Sequence, residues 1–249
     1  MSTVHIPSLG KPADFTDRIV ERRIRILSRF PGFVGKEYTL LDAGCGNGAS
    51  SFLLADRMKE CVGIDVGVEN QVAFEERRGR LSIQNCRFLR LDIERESIDE
   101  RFDRLISFEV VEHLRDERSV RRYYELLNEG GLAAITVPNK WWVFETHGAW
   151  LPLLPWNRVP FFSWLPRSLH ERYAKARIYT RKRISGLLSS AGFEILQVSY
   201  VTAPMDVLGE GWMKRVLTET LFRGETATVP FLATSILVIA RKSTTINRN

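Results

Sequence analysis

Residues 40–51 read Leu-Leu-Asp-Ala-Gly-Cys-Gly-Asn-Gly-Ala-Ser-Ser, and they limit the chain more tightly than any other stretch. Three glycines, Gly44, Gly46 and Gly48, alternate directly behind an apolar pair that ends in a carboxylate, Asp42. Residues 49–59 then have helical spacing, with Phe52 and Ala55 on one stripe and Leu54 and Met58 beside it. Strand, glycine turn and helix in that order open a mononucleotide-binding half-fold. There the backbone must approach a ligand closely, and side chains would block it.

Two ligand classes use such a turn, and a plain tight turn without ligand is the third reading. Gly44, Gly46 and Ala49 satisfy G-x-G-x-x-A, and Asp65 follows about twenty residues on, as a nicotinamide dinucleotide reader requires. Asp42 argues against it. A pyrophosphate is anionic and favours bare N–H groups at a helix N-terminus, so a carboxylate at the turn would repel it. S-adenosylmethionine presents an ammonium and a sulfonium instead, which a carboxylate attracts. The D-x-G-x-G-x-G spacing therefore points to S-adenosylmethionine.

The following strands repeat the theme. Residues 61–66 form a second strand with Asp65 at its carboxyl end, placed to accept both ribose hydroxyls of an adenosine. A helix is expected over 68–78. A third strand, 86–93, holds Asp92, where a carboxylate can accept from an adenine amino group. Three acids in register after three successive strands carry more weight than any one. A fourth strand, 102–109, runs into Glu109-Val-Val-Glu112-His113. The next helix, 117–128, places Val120, Tyr123, Tyr124 and Leu127 on one face, with Gly130-Gly131 as its expected cap and a fifth strand at 132–137.

At residue 140 the alternation breaks. Residues 140–177 hold Trp141, Trp142, Trp150, Trp156 and Trp164 with Pro152, Pro155, Pro160 and Pro166. So many prolines forbid one continuous helix, and Asn157 and Arg158 forbid a membrane span. The stretch reads as an inserted lid, apolar enough to cover a substrate pocket, or as an insertion packing its own small core. Thr180 then caps a helix carrying Ile184, Leu187 and Leu188, a sixth strand is expected over 193–201, a helix over 205–222 with Leu208, Trp212 and Val216, and a last strand over 231–240. The domain plan is a helical cap (1–39), a cofactor half (40–139), the insertion (140–178), the rest of the sheet (179–242) and a tail (243–249).

With 249 residues, 44% hydrophobic and 27% charged, the chain suits one elaborated α/β domain. A net charge of +6 suggests an anionic partner without naming it. The excess is dispersed, and in the expected first helix, 13–30, Arg18, Arg22, Arg23, Arg25 and Arg29 form a basic face opposite Phe15, Ile19 and Ile26. That face reads as solvated, or alternatively as a contact for lipid or nucleic acid phosphates. Cys45, Cys61 and Cys86 have no metal spacing and suit reduced thiols. Residues 1–12 contain no apolar run, and no segment reaches the ~18 apolar residues of a membrane span. A cytoplasmic protein is expected.

Taken in order, Asp-Ala-Gly-Cys-Gly-Asn-Gly, Gly-Ile-Asp, Leu-Asp-Ile, Glu-Val-Val-Glu-His-Leu and Gly-Gly-Leu resemble the class I S-adenosylmethionine-dependent methyltransferases, closely over 40–139 and in outline over 180–242. The resemblance implies an α/β, doubly wound, seven-stranded, mostly parallel sheet of order 3-2-1-4-5-7-6 with the last strand antiparallel, here with the Trp/Pro-rich insertion. It implies that Asp42, Gly44 and Gly46, with Gly48 in the same turn, hold the methionine part, Asp65 the ribose and Asp92 the adenine. Phe108 or Glu109 would line the cofactor floor. Glu109-Val-Val-Glu112-His113 looks like the type 11/type 12 group, including the ubiquinone-pathway O-methyltransferases, and more distantly the small-RNA 2′-O-methyltransferases. In parts of both groups the two glutamates and the histidine ligate a divalent metal, for which His147 offers a further ligand. In other relatives the string is structural, and no metal is assigned here.

Methyl transfer to a hydroxyl needs alignment and a proton acceptor. His113 is the leading candidate base, or else a brace for its loop, and His147 is second. Trp141, Trp142, Glu145, Trp150 and Tyr179 are the expected acceptor-side residues. The reading is methylation of an oxygen, ahead of nitrogen or carbon, on a small, largely apolar or lipid-like acceptor, with peripheral membrane contact through the lid. One rival is an RNA ribose methyltransferase. Another is a non-catalytic S-adenosylmethionine-fold subunit of a membrane-associated assembly.

Overall fold

The structure is a computed structural model that describes residues 17–150, 159–205 and 211–243. Helix α1 (Arg18–Arg29) leads into β1 (Gly35–Ala43), followed by α2 (Ala49–Leu54), β2 (Met58–Asp65), α3 (Val68–Arg80), β3 (Cys86–Arg90) and β4 (Phe102–Phe108). Helix α4 (Val120–Leu126) returns to β5 (Leu127–Pro138), and α5 (Arg167–Tyr173) lies within the insertion. Helix α6 (Arg181–Ser190), β6 (Phe193–Thr202), α7 (Trp212–Glu219), β7 (Thr226–Ala227) and β8 (Ala233–Lys242) complete the order.

One sheet results, ordered β3-β2-β1-β4-β5-β8-β6-β7. Strands β1 to β5 run parallel, and β8 enters antiparallel between β5 and β6. The expected order is present, and the two-residue β7 adds an eighth, edge strand that the sequence did not announce. Alternating side chains explain why both faces are covered. Leu40, Ile106, Ala134 and Leu237 point into a core shared with α1, α2 and α3, whereas Leu41, Leu105, Ala133 and Val238 point into one shared with α4 and α6. Among the described residues no helix is long and apolar enough to cross a membrane.

Several boundaries differ from expectation for local reasons. The start of the first helix, including Phe15, lies outside the described residues, as do Leu208, Trp156 and His5. The helix after the glycine turn stops at Leu54, because a short 3₁₀ turn, Ala55–Arg57, must deliver the chain to β2 at Met58. Gly130 and Gly131 do not cap α4. They lie inside β5 at a register shift between the pairs Phe102–Leu127 and Arg104–Leu132, where Gly130 adopts a positive φ of 75°. Helix α7 is shorter than the expected 205–222, and Met205 itself has φ 60°.

The basic face of α1 is only partly solvated. Arg22 is buried and donates to the carbonyls of Thr202, Ala203 and Phe222 at 2.7–2.8 Å. Arg23 is buried against Glu109 at 2.7 Å. Arg25 and Arg29 are drawn to Glu225. The helix is bolted across the carboxyl ends of the strands rather than left as a charged outer cap.

Candidate active site

Strand ends decide where the acids go. At the end of β1, Asp42 is 2% exposed and accepts from the Ser51 hydroxyl at 2.7 Å. Burial pushes its carboxyl up to about 7, although the Ser51 bond works in the opposite direction. Gly44, φ 79°, leaves no room for a Cβ, which would collide with the Val110 side chain. Gly48 is different. Its φ is 83°, and a Cβ there would come within 2.5 Å of Phe74, so helix packing requires this glycine and it does not line the cavity.

Asp65 holds the loop together. Its Oδ2 accepts from the Gly46 backbone at 3.0 Å, and Oδ1 accepts from the Gly67 backbone and Asn70 Nδ2, both at 2.9 Å. Asp92 lies just past β3, accepts from the Glu94 backbone at 3.0 Å and faces Arg115 Nη1 at 3.2 Å. These acids, with Gly44, Gly46, Phe108 and Glu109, line one cavity of about 1150 Å³ at the carboxyl edge of the sheet. Its centre is the gap between β1 and β4, where strand order reverses and where open α/β sheets bind ligands.

Past β4 the chain enters a strained turn at Glu109, φ 57°, whose Oε1 accepts from Arg23 Nη2. Glu112 is fully buried, and neither carboxylate oxygen has a hydrogen bond among the described residues. Burial, then the Glu109 carboxylate, holds its carboxyl well above the usual range. His147 Nε2 lies 3.5 Å from Glu112 Oε1, and Thr146 Oγ1 lies 2.9 Å from His147 Nδ1. The His113 and His147 rings meet edge to face with centroids 5.0 Å apart, and both line the cavity. Burial lowers the pKa of His147.

Ligand atoms of Glu112, His113 and His147 all lie within 4.8 Å of one another. One carboxylate and two imidazoles suit a borderline divalent cation better than a hard one, and the oxygens of Glu112 offer unused acceptors. Glu109 is turned to Arg23 instead. The group that could hold a metal therefore differs from the Glu109-Glu112-His113 set of the resemblance.

The insertion is attached to this cluster from behind. Glu145 is 1% exposed and accepts from the His147 backbone at 3.1 Å, His170 Nε2 at 2.7 Å and Ser163 Oγ at 3.2 Å. Burial alone would raise its carboxyl, but His170 outweighs that and holds it below the usual range. Arg177 donates to the carbonyls of Leu114 and Arg115 and so fixes the loop bearing His113.

Among the described residues the tryptophans do not line the cavity. Trp141 packs edge to face on Trp164 and Phe231, Trp142 on Phe144 and Phe222, and Trp150 is half exposed with Lys175 over its ring. Tyr179 is in the main core, its hydroxyl on Glu117 at 3.0 Å. Trp141, Trp142, Glu145, Trp150 and Tyr179 are thus absent from the cavity wall, and among them Trp142 packs a satellite core with Ala203, Met205 and Phe222. What the sequence reading passed over are Arg23, Thr146, Pro204, Thr234 and Ser235, which do line the cavity. Arg23 had a signal: it falls four residues after Ile19 and three before Ile26, on the apolar stripe rather than opposite it. The others are brought in by strand order alone.

A doubly wound sheet with a glycine turn at its switch point and acids after the first three strands defines the class I methyltransferase fold. The family profile described as "Methyltransferase domain" matches residues 35–173, and the chain belongs to that family. A ubiquinone biosynthesis O-methyltransferase of Azorhizobium caulinodans is 29% identical over 165 residues, 66% of this chain and 62% of that protein. The (S)-coclaurine N-methyltransferase of Papaver somniferum is 31% identical over 97 residues, 38% of this chain and 28% of that protein. The chain thus spans less than two thirds of these relatives. Among solved structures, the N-methyltransferase NodS of Bradyrhizobium japonicum in complex with S-adenosyl-L-homocysteine superposes with a TM-score of 0.56 at 15% identity, over 92% of this chain and 87% of that one.

Proposed function

We propose that the protein is an S-adenosylmethionine-dependent methyltransferase that acts on an oxygen of a small-molecule acceptor. When bound, the cofactor supplies an electrophilic methyl group carried on a cation. Asp42, the glycine turn and Asp65 fit such a group, since the wall is acidic and the turn admits backbone close to a ligand. Asp92 would accept from the adenine amino group. Across the gap, the paired imidazoles of His113 and His147 are the observation that carries the oxygen reading: a hydroxyl must give up its proton, and an imidazole at the cavity wall can accept it. The chain's main contribution is alignment, which can supply about 7–11 kcal/mol.

The test uses a methyl-labelled donor with a small-molecule extract, followed by the chemical linkage of the product. Labelled methyl ether is the expected outcome, and His113→Ala with His147→Ala should slow turnover by about 10²–10⁴-fold. Label found on nitrogen alone, or no labelled product, would overturn the proposal.

A further inference from the structure

The cavity continues past β4 to a wall made by α1, the exit of β6, the start of β8 and the loop after β5. That wall presents Arg23, Thr146, His147, Thr234 and Ser235 beside the apolar Ile19, Val20 and Pro204. Three hydroxyls from two separate segments, Thr146 after β5 and Thr234 and Ser235 at the start of β8, meet there. Two of the wall's polar atoms are buried with no hydrogen bond among the described residues: Arg23 Nε and Thr234 Oγ1. Arg23 is 5% exposed, and its Nη2 only grazes Ser235 Oγ at 3.5 Å. Leaving such groups unmet is costly, and a ligand carrying matching groups would return that cost.

From this wall we infer the acceptor class: a hydroxyl-dense, sugar-type molecule, held by Arg23 Nε, Thr234 Oγ1, Ser235 Oγ and Thr146 Oγ1. The inference rests on the oxygen-transfer reading and specifies its substrate. A hydroxyl both donates and accepts, so neighbouring ring hydroxyls can meet a guanidinium N–H, a threonine hydroxyl and the Glu109 carboxylate together. An apolar acceptor would leave Arg23 Nε and Thr234 Oγ1 unmet. An anionic acceptor is disfavoured because Glu109 already neutralises Arg23 at 2.7 Å. Sites that hydrogen-bond a hydroxyl reject analogues lacking it far more strongly than apolar pockets sort by size.

Saturation-transfer NMR on protein loaded with S-adenosylhomocysteine tests the inference with three probes: a panel of methyl hexopyranosides, cyclohexyl methyl ether and catechol. At least one hexopyranoside should bind, and Thr234→Val should weaken it at least tenfold while S-adenosylhomocysteine affinity stays unchanged. Thr234→Ser, which keeps the hydroxyl, should retain binding, and Arg23→Lys, which keeps the charge but loses Nε, should not; this pair serves if the valine variant does not fold. Failure of every hexopyranoside to bind, whether or not catechol or the cyclohexyl ether binds, overturns the inference, as does a hexopyranoside indifferent to Thr234→Val or Arg23→Lys. Failure of the broader reading looks different. Hexopyranosides binding as expected, with label passing only to the nitrogen of an amino-sugar probe, would sink oxygen transfer and leave the polyol site standing. Methylated catechol oxygen without hexopyranoside binding would do the reverse.

Discussion

At the rim of β1, β2 and β3 the carboxylates are held by near neighbours in the chain. Ser51 lies nine residues from Asp42, Gly67 two from Asp65, Gly46 nineteen from it, and Glu94 two from Asp92. Beyond β4 the wall is held by bonds of another reach. Arg23 to Glu109 spans 86 residues, Arg177 to Leu114 spans 63, and Arg22 to Thr202 spans 180. The first wall is a set of turns that carry their own restraints, whereas the second exists only where the whole tertiary structure brings its parts together. A cofactor common to many enzymes can be met by local geometry, and an acceptor particular to one enzyme by long-range assembly.

The largest expected effect probes the local wall through pH. Asp42 has a folded pKa near 7 against a usual 3.8, so the native state keeps a proton that the unfolded chain releases. The stabilisation is full below about pH 4 and is lost as pH rises towards 7, an effect of about 4 kcal/mol at most. Urea unfolding of Asp42→Asn beside the parent at pH 4.5 and 7.5 should show the parent losing more stability across that interval, and parallel curves would refute the assignment. Next, Arg22→Ala strips three buried carbonyls of their donor and should cost about 3 kcal/mol of stability. A loss confined to acceptor-side behaviour, with unchanged urea midpoint, would break the idea that α1 is anchored by this residue.

Asp65→Ala should weaken S-adenosylhomocysteine binding by about 2 kcal/mol, roughly 30-fold, through loss of the loop's restraint and of an acceptor for ribose hydroxyls. Calorimetry gives the answer directly, and unchanged affinity would place the ribose elsewhere. The smallest effect is expected at Trp150→Ser. Half exposed and outside the cavity, this ring should change stability by under about 0.5 kcal/mol and leave donor affinity alone. A large fall in donor affinity would put the Trp150 ring against the cavity.

These contrasts also explain what could be read without coordinates. Asp42, Asp65 and Asp92 were legible because strand ends and turns are written in consecutive residues, whereas the sheet order came only from the resemblance those motifs carry. Gly130 misled because a glycine pair after a helical run signals a cap as well as a bulge, and only the partner strand β4 decides between them. The tryptophans misled for a related reason. Composition shows that aromatic surface must be buried but not against what, and here Trp142 found Phe222 and Trp141 found Phe231, far along the chain. Thr234 and Ser235 left no trace at all, since two small residues opening a strand become a binding wall only once β8 slots between β5 and β6.

Arg22 has a consequence for biosynthesis. Its three acceptors are made 180 to 200 residues after it, so α1 can pack its apolar side on β1 and α2 early, while the Arg22 guanidinium finds its partners only after β6 and α7 are made. A chain cut after β5 would carry Asp42, Asp65 and Asp92 and still leave the Arg22 side of α1 unfastened. One wall of the cavity is thus locked in place by residues that follow it by most of a domain.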